Sequence, residues 1–278
     1  MAPVVSVGRK ASRLVHRRWR DCRKRLQGCR ADVAAKPVHQ ARVALRRLEA
    51  GLLIAQTLLG DGGVTKSLAE VKKTLTALSA LRDAQVQAAR MEKIAGPGED
   101  WGALQERWRR RERRLHHAGF RALAAGKLAQ RVAKVRTRLD ALPVYAVANR
   151  RLRVRLEQAL RRMKYYSITL QPRTYEEMAS LHLARIAFRR YRFVAEALQA
   201  FIPGVTESEL KAMTRYQSLM GEIHDLDLFL ARLDRSVGKG HIIASRIHSA
   251  RAALQRRRAA RVAAYLRVTG KLFPAERS

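Results

Sequence analysis

Two histidine–arginine constellations stand out by residue type and spacing. His39, Arg42, Arg46 and Arg47 follow one another at fixed helical intervals, and His182, Arg185, Arg189 and Arg190 repeat those intervals in the second half of the chain. A guanidinium is a planar fork of N–H donors that matches phosphate oxygens, and an imidazole beside an anion is driven toward its charged form. The chemistry such a set suits is the holding of phosphate-like anions. The flanking segments, VHQARVALRRL and LHLARIAFRRY, agree in apolar as well as charged positions. We read this as an internal duplication whose halves present cations to one shared anion. Each histidine either contacts the anion or orients a neighbouring helix, and Arg47 and Arg190 are turned further from the histidine than their companions.

These side chains need helices to position them. Apolar residues recur at helical spacing almost throughout, with no sustained alternation of period two, so the chain is expected to be all-α. On a helical wheel Ala41, Leu45, Leu48, Leu52, Ala55 and Leu59 form one stripe, with His39, Arg42 and Arg46 opposite. In the second copy Ala184, Phe188, Tyr191, Ala195, Leu198 and Ile202 oppose His182, Arg185 and Arg189. A lead helix precedes each. In the first, Val15, Trp19, Cys22, Leu26 and Cys29 back Arg13, Arg17, Arg20 and Lys24; in the second, Leu152, Leu156, Ala159 and Met163 back Arg150, Arg153, Arg161 and Lys164.

Breaks are expected at Ala35-Lys36-Pro37, Gly60-Asp61-Gly62-Gly63, Gly96-Pro97-Gly98, Leu142-Pro143, Gln171-Pro172, Pro203-Gly204 and Gly238-Lys239-Gly240. They cut the chain into two sets of about four long helices. Short connections favour antiparallel neighbours, so residues 1–143 and 144–278 each read as a four-helix bundle, with Gly126–Leu142 an extra helix or the continuation of the fourth.

Of the 278 residues 47% are hydrophobic, enough for a real core, while 58 basic against 23 acidic residues give a formal net charge of +35. That excess repels itself, and a polyanionic partner relieves it. With 13 lysines among the 58, arginine dominates. Aromatic residues are only 6%, which disfavours the basic-plus-aromatic interleaving of a single-strand nucleic-acid groove. No secretory apolar segment and no membrane-length apolar stretch is evident, so a cytoplasmic location is expected. Cys22 and Cys29 fall on one helix about 10 Å apart along its axis, too far to bond each other, and read as reduced core residues.

The two histidine helices, followed by LSALRDAQ in one half and MGEIHDLDLFL in the other, resemble the CHAD domain, the conserved histidine α-helical domain. The resemblance spans nearly the whole chain. It implies two four-helix bundles related by a pseudo-twofold axis, with a basic central groove that binds inorganic polyphosphate and organises polyphosphate granules. It implies no cofactor. The contacts it points to are His39, Arg42, Arg46 and Arg47, then His182, Arg185, Arg189, Arg190 and Arg192. Arg17, Arg20, Lys24, Lys72, Lys73, Arg82, Arg153, Lys164, Lys211, Arg215 and His224 are further candidates. The first copy places Glu49 where the second has Arg192, and Gln85 where the second has Asp227. The first half is therefore expected to hold phosphate less tightly, or to use other cations such as Lys72 and Lys73.

Asp83, Asp225 and Asp227 are expected to pair with helix arginines and fix their direction. A rival assignment gathers His182, His224, Asp225 and Asp227 around a catalytic metal, as in a metal-dependent phosphohydrolase, although the surrounding arginines repel a divalent cation. We expect a binding protein rather than an enzyme, with non-specific nucleic-acid binding as the alternative that charge alone supplies. Trp101 and Trp108, with the RRRER run, read as an amphipathic helix with a solvated cationic face. Arg251, Arg256, Arg257, Arg258 and Arg261 form a similar basic face on the last helix.

Overall fold

The computed structural model describes residues 6–31, 34–60, 63–94, 102–123 and 127–272. The Gly96-Pro97-Gly98 break and Trp101 lie outside the described residues. Among those residues the architecture is all-α, with no strand: α1 (Val7–Ala31), α2 (Ala35–Leu59), α3 (Gly63–Ile94), α4 (Gly102–Leu123), α5 (Lys127–Asp140), α6 (Ala146–Thr169), α7 (Leu181–Leu198), α8 (Glu207–Gly238) and α9 (His248–Leu272). Gly126–Leu142 therefore contains a helix of its own, α5. Short 3₁₀ turns at Glu176–Ser180 and Ala244–Ile247 lead into α7 and α9.

The chain forms two compact units. The first draws on Met1–Arg82, His116–Tyr165 and Arg190–Leu210, the second on Asp83–Leu115, Tyr166–Arg189 and Lys211–Ser278. Each takes segments from both sides of Pro143.

In the first unit α1 packs against α2 and α5. The expected α2 stripe is buried at Ala41, Leu45, Leu48, Leu52 and Ala55, and burial extends all round the helix from Ala50 to Ala55. At roughly 1.5–3 kcal/mol for each buried leucine, this helix is a main source of the unit's stability. It stops at Gly60, whose φ of 73° suits glycine best. Helix α1 is fastened at its start. Asn149 of α6 accepts from the Val7 amide at 2.8 Å, Ser6 Oγ accepts from the Arg9 amide at 3.2 Å, and Ser12 donates to Asp140 at 3.0 Å. Gly8 lies so close to the end of α5 that a Cβ there would run into the Leu139 carbonyl oxygen and Leu142. Cys22 and Cys29 are buried free thiols, and burial pushes the Cys22 thiol up to about 12.

The second unit has a core of Met91, Trp108, Leu226, Phe229, Leu233, Ile247, Ala250 and Leu254. Trp108 meets Phe229 edge-on at 5.3 Å, with the Arg232 guanidinium 5.2 Å from its ring. The α4 helix thus keeps Arg107, Arg109, Arg110 and Arg111 outside and Trp108 within. A second, polar centre joins Gln171, Tyr216, Tyr265 and Thr269. Gln171 Oε1 accepts from both tyrosine hydroxyls, at 2.9 and 2.8 Å, and Tyr216 shares a 2.8 Å hydrogen bond with Thr269. Phe188 of α7 packs edge-on against Tyr216, which fixes the face that α7 turns inward.

Candidate anion-binding faces

In the first unit the buried stripe of α2 leaves His39 exposed and Arg42, Arg46 and Arg47 half-buried. Desolvation by the protein around it, then Arg82 and Arg42, hold the His39 imidazole below its ordinary range although part of the side chain meets solvent. Arg82, from α3, donates to the Ala35 carbonyl at 3.3 Å, which ties the two helices together beside His39. His39, Arg42 and Arg82 therefore form one cationic cluster.

The remaining arginines of α2 meet carboxylates. Arg46 bonds Glu49 at 2.9 Å, so the acid that distinguishes the first motif from the second neutralises its own helix. Arg47 approaches Glu196 at 2.9 Å, as do Arg18 at 3.0 Å and Arg192 at 3.6 Å. One carboxylate thus gathers three guanidiniums from α1, α2 and α7. Arg192 is 11% exposed at its side chain and lies 4.0 Å from the Phe193 ring. Its position is that of a brace within the unit. Arg190 is exposed, as are Arg17, Arg20 and Lys24 on α1, Lys72 and Lys73 on α3, and Arg153 and Lys164 on α6. The α6 stripe is buried at Leu152 and Leu156 and half-buried at Ala159 and Met163.

In the second unit His182 stands on α7 and His224 on α8, with ring centroids 5.1 Å apart and planes tilted by 35°. Burial, followed by Arg185, His182 and Arg189, pushes the His224 imidazole down to about 4. His182 is lowered by burial, then Arg185 and Arg189. These shifts report the local field: two guanidiniums and two imidazoles close enough to oppose each other's charge. An anion placed there reverses the penalty. Lys211 and Arg215 are exposed on α8, more than two turns before His224.

Acidic side chains of the second unit lie near its arginines. Asp227 takes a short ion pair from Arg258 and Glu222 one from Arg261 at 2.8 Å, while Asp225 acts electrostatically on Arg90 and Asp83 on Arg232. Among the described residues no group of three or more His, Cys, Asp or Glu side chains comes together to hold a metal ion. Glu196, Arg18 and Arg90 escaped the sequence reading. The available signal was Glu196 itself, an acid one turn after Arg192 in an arginine-rich helix.

The family model described as the CHAD domain matches residues 13–234, well over half of the chain. This chain belongs to the CHAD domain family. Its match includes both histidine motifs and ends before α9. Among solved structures it is similar to the CHAD domain from the plant Ricinus communis, at 19% identity and a TM-score of 0.63, covering 99% of this chain and 90% of that one. It is also similar to PptA from Streptomyces chartreusis, at 16% identity and a TM-score of 0.68, covering 95% and 99% respectively. At these identities the likeness is one of fold. No curated protein matches the chain significantly. Among the described residues, no helix of this CHAD protein is long and apolar enough to cross a membrane.

Proposed function

We propose that this CHAD protein binds inorganic polyphosphate through its Arg-, Lys- and His-bearing faces, without turning it over, and thereby attaches to or organises polyphosphate granules. The observation that carries the reading is the close His182–His224 pair, whose imidazoles are both shifted down by burial and then by Arg185 and Arg189. Such a site is electrostatically frustrated until an anion arrives. Polyphosphate supplies closely spaced anionic oxygens and no bases, so guanidiniums and imidazoles suffice to hold it. The cluster of His39, Arg42 and Arg82 supports the same chemistry in the first unit. We also take residues 1–143 and 144–278 as two repeats, on the matched register of their motifs. A shared groove is the corresponding expectation from the family resemblance.

The test is binding of long-chain polyphosphate to the wild type and to Arg42→Glu, Arg185→Glu and the double variant. Each single change is expected to weaken binding about tenfold or more, and the double change further, if each removes a charge-assisted contact worth roughly 1.5–3 kcal/mol. Unchanged affinity in the double variant overturns the assignment. Duplex DNA at equal phosphate concentration and near-physiological salt is the competitor that checks specificity. Displacement by DNA would favour the nucleic-acid reading. Phosphate release that a chelator abolishes would instead establish a metal-dependent enzyme.

A further inference from the structure

Apart from the histidine faces, the first unit contains a cleft of about 250 Å³ between α1 and α5, with His16, Trp19, Arg20 and Arg23 on one wall and Arg136 on the other. Two of its polar atoms, His16 Nδ1 and Arg136 Nε, are buried and meet no hydrogen-bonding partner. Buried donors and acceptors are normally satisfied, so an orphan pair in one cleft calls for a ligand atom or water. The charge selects the ligand's sign. His16 is lowered by burial, Arg136 and Arg20, which places the imidazole in a positive field.

Charge alone would fit any small anion, but the rest of the lining narrows the choice. Trp19 contributes an indole from α1, and the facing α5 wall carries the small side chains Ala129 and Ala133. An aromatic side chain opposite small ones makes a slot for a flat ring, and base–aromatic stacking is a sizeable contribution to binding. The volume is below the roughly 300–1,000 Å³ usual for drug-sized ligands, so the cleft suits a base-sized ring with adjoining phosphates at its mouth. Arg20 and Arg23 line the cleft and are exposed, and so are available to receive them.

We propose that the His16–Trp19–Arg136 cleft is a nucleoside phosphate site, in which Trp19 stacks on the base and Arg20, Arg23 and Arg136 hold the phosphates. This site shares Arg20 with the polyphosphate candidates, but His16, Trp19, Arg23 and Arg136 take no part in that reading. The probes are ADP, pyrophosphate and adenosine, measured by titration calorimetry on the full chain. ADP is expected to bind about tenfold or more tighter than either fragment, in line with one stacked base. Ala133→Leu, at an exposed position, should block the ring and bring ADP down to the level of pyrophosphate. Trp19→Phe should retain the ADP preference and Trp19→Ala lose it, while Arg136→Glu should weaken ADP and pyrophosphate together. Polyphosphate binding should be unaffected by Ala133→Leu. The proposal is overturned if pyrophosphate binds as tightly as ADP, or if Ala133→Leu leaves the ADP preference intact.

Discussion

The histidine pair of the second unit turns ligand binding into a proton-linked event. In the free protein His224 is held at about 4, so it is neutral near pH 7. A bound phosphate chain favours the imidazolium and raises that value, so binding takes up protons and affinity rises as the pH falls from about 7 to about 5. His224→Gln should flatten this dependence, as read by calorimetry in buffers of different ionisation enthalpy. Stability has the opposite sign. A histidine depressed in the folded state leaves stability intact above 6.5 and erodes it as pH falls toward 4, because the unfolded chain takes the proton first. Denaturant midpoints should therefore drop in mild acid, and polyphosphate should offset the drop. Glu196 is the other decisive residue: Glu196→Gln leaves Arg18, Arg47 and Arg192 without their common carboxylate. We expect a loss of about 2 kcal/mol, discounted from the roughly 3–5 kcal/mol of a fully buried broken pair because these groups keep some water contact. The motif residues were legible because their spacing repeats. The full role of Glu196 was not, because two of its three partners, Arg18 and Arg47, come from separate helices that only folding assembles.

At the level of the element, the wheel foresaw the buried faces of α2 and α7 nearly residue by residue, Leu59 being half-buried rather than buried. What it could not foresee is the closed environment of Ala50–Ala55, where neighbours surround α2 on every side. Small residues at Ala50 and Gly51 permit that, yet in sequence they look like mere gaps in the stripe. Trp108 was similarly ambiguous, since one large ring amid arginines does not reveal whether a core awaits it. The entry of α1 supplies a sharper case: Gly8→Ala should lower the thermal midpoint, at a cost of about 1–3 kcal/mol for overpacking against Leu139 and Leu142. The start of α8 offers a milder contrast. Thr206 and Glu209 exchange capping bonds, with the Thr206 amide donating to Glu209 at 2.8 Å and the Glu209 amide to Thr206 Oγ1 at 3.2 Å. Thr206→Ala should cost about 1 kcal/mol, measurable by chemical denaturation.

Across the whole molecule, a net charge of +35 makes a carboxylate placed between two helices a valuable clip. Glu70 holds Arg131 at 2.7 Å, Glu222 holds Arg261 and Asp227 holds Arg258, all between different helices. Residual repulsion should make the thermal midpoint rise with sulfate or phosphate more than with chloride at equal ionic strength, because multivalent anions bind the cationic surface as well as screen it. Total charge was plain from composition; which cations the acids would occupy was not. At the other end of the pH scale the Gln171 hub sets an alkaline limit on the second unit. Burial raises both Tyr216 and Tyr265 above the usual phenol value of 10.0, so their hydroxyls stay protonated while the unit is closed. An opened chain surrenders those protons in strong base, so rising hydroxide draws the equilibrium toward it, and phenolate absorbance from this pair becomes a built-in reporter of the unit coming apart.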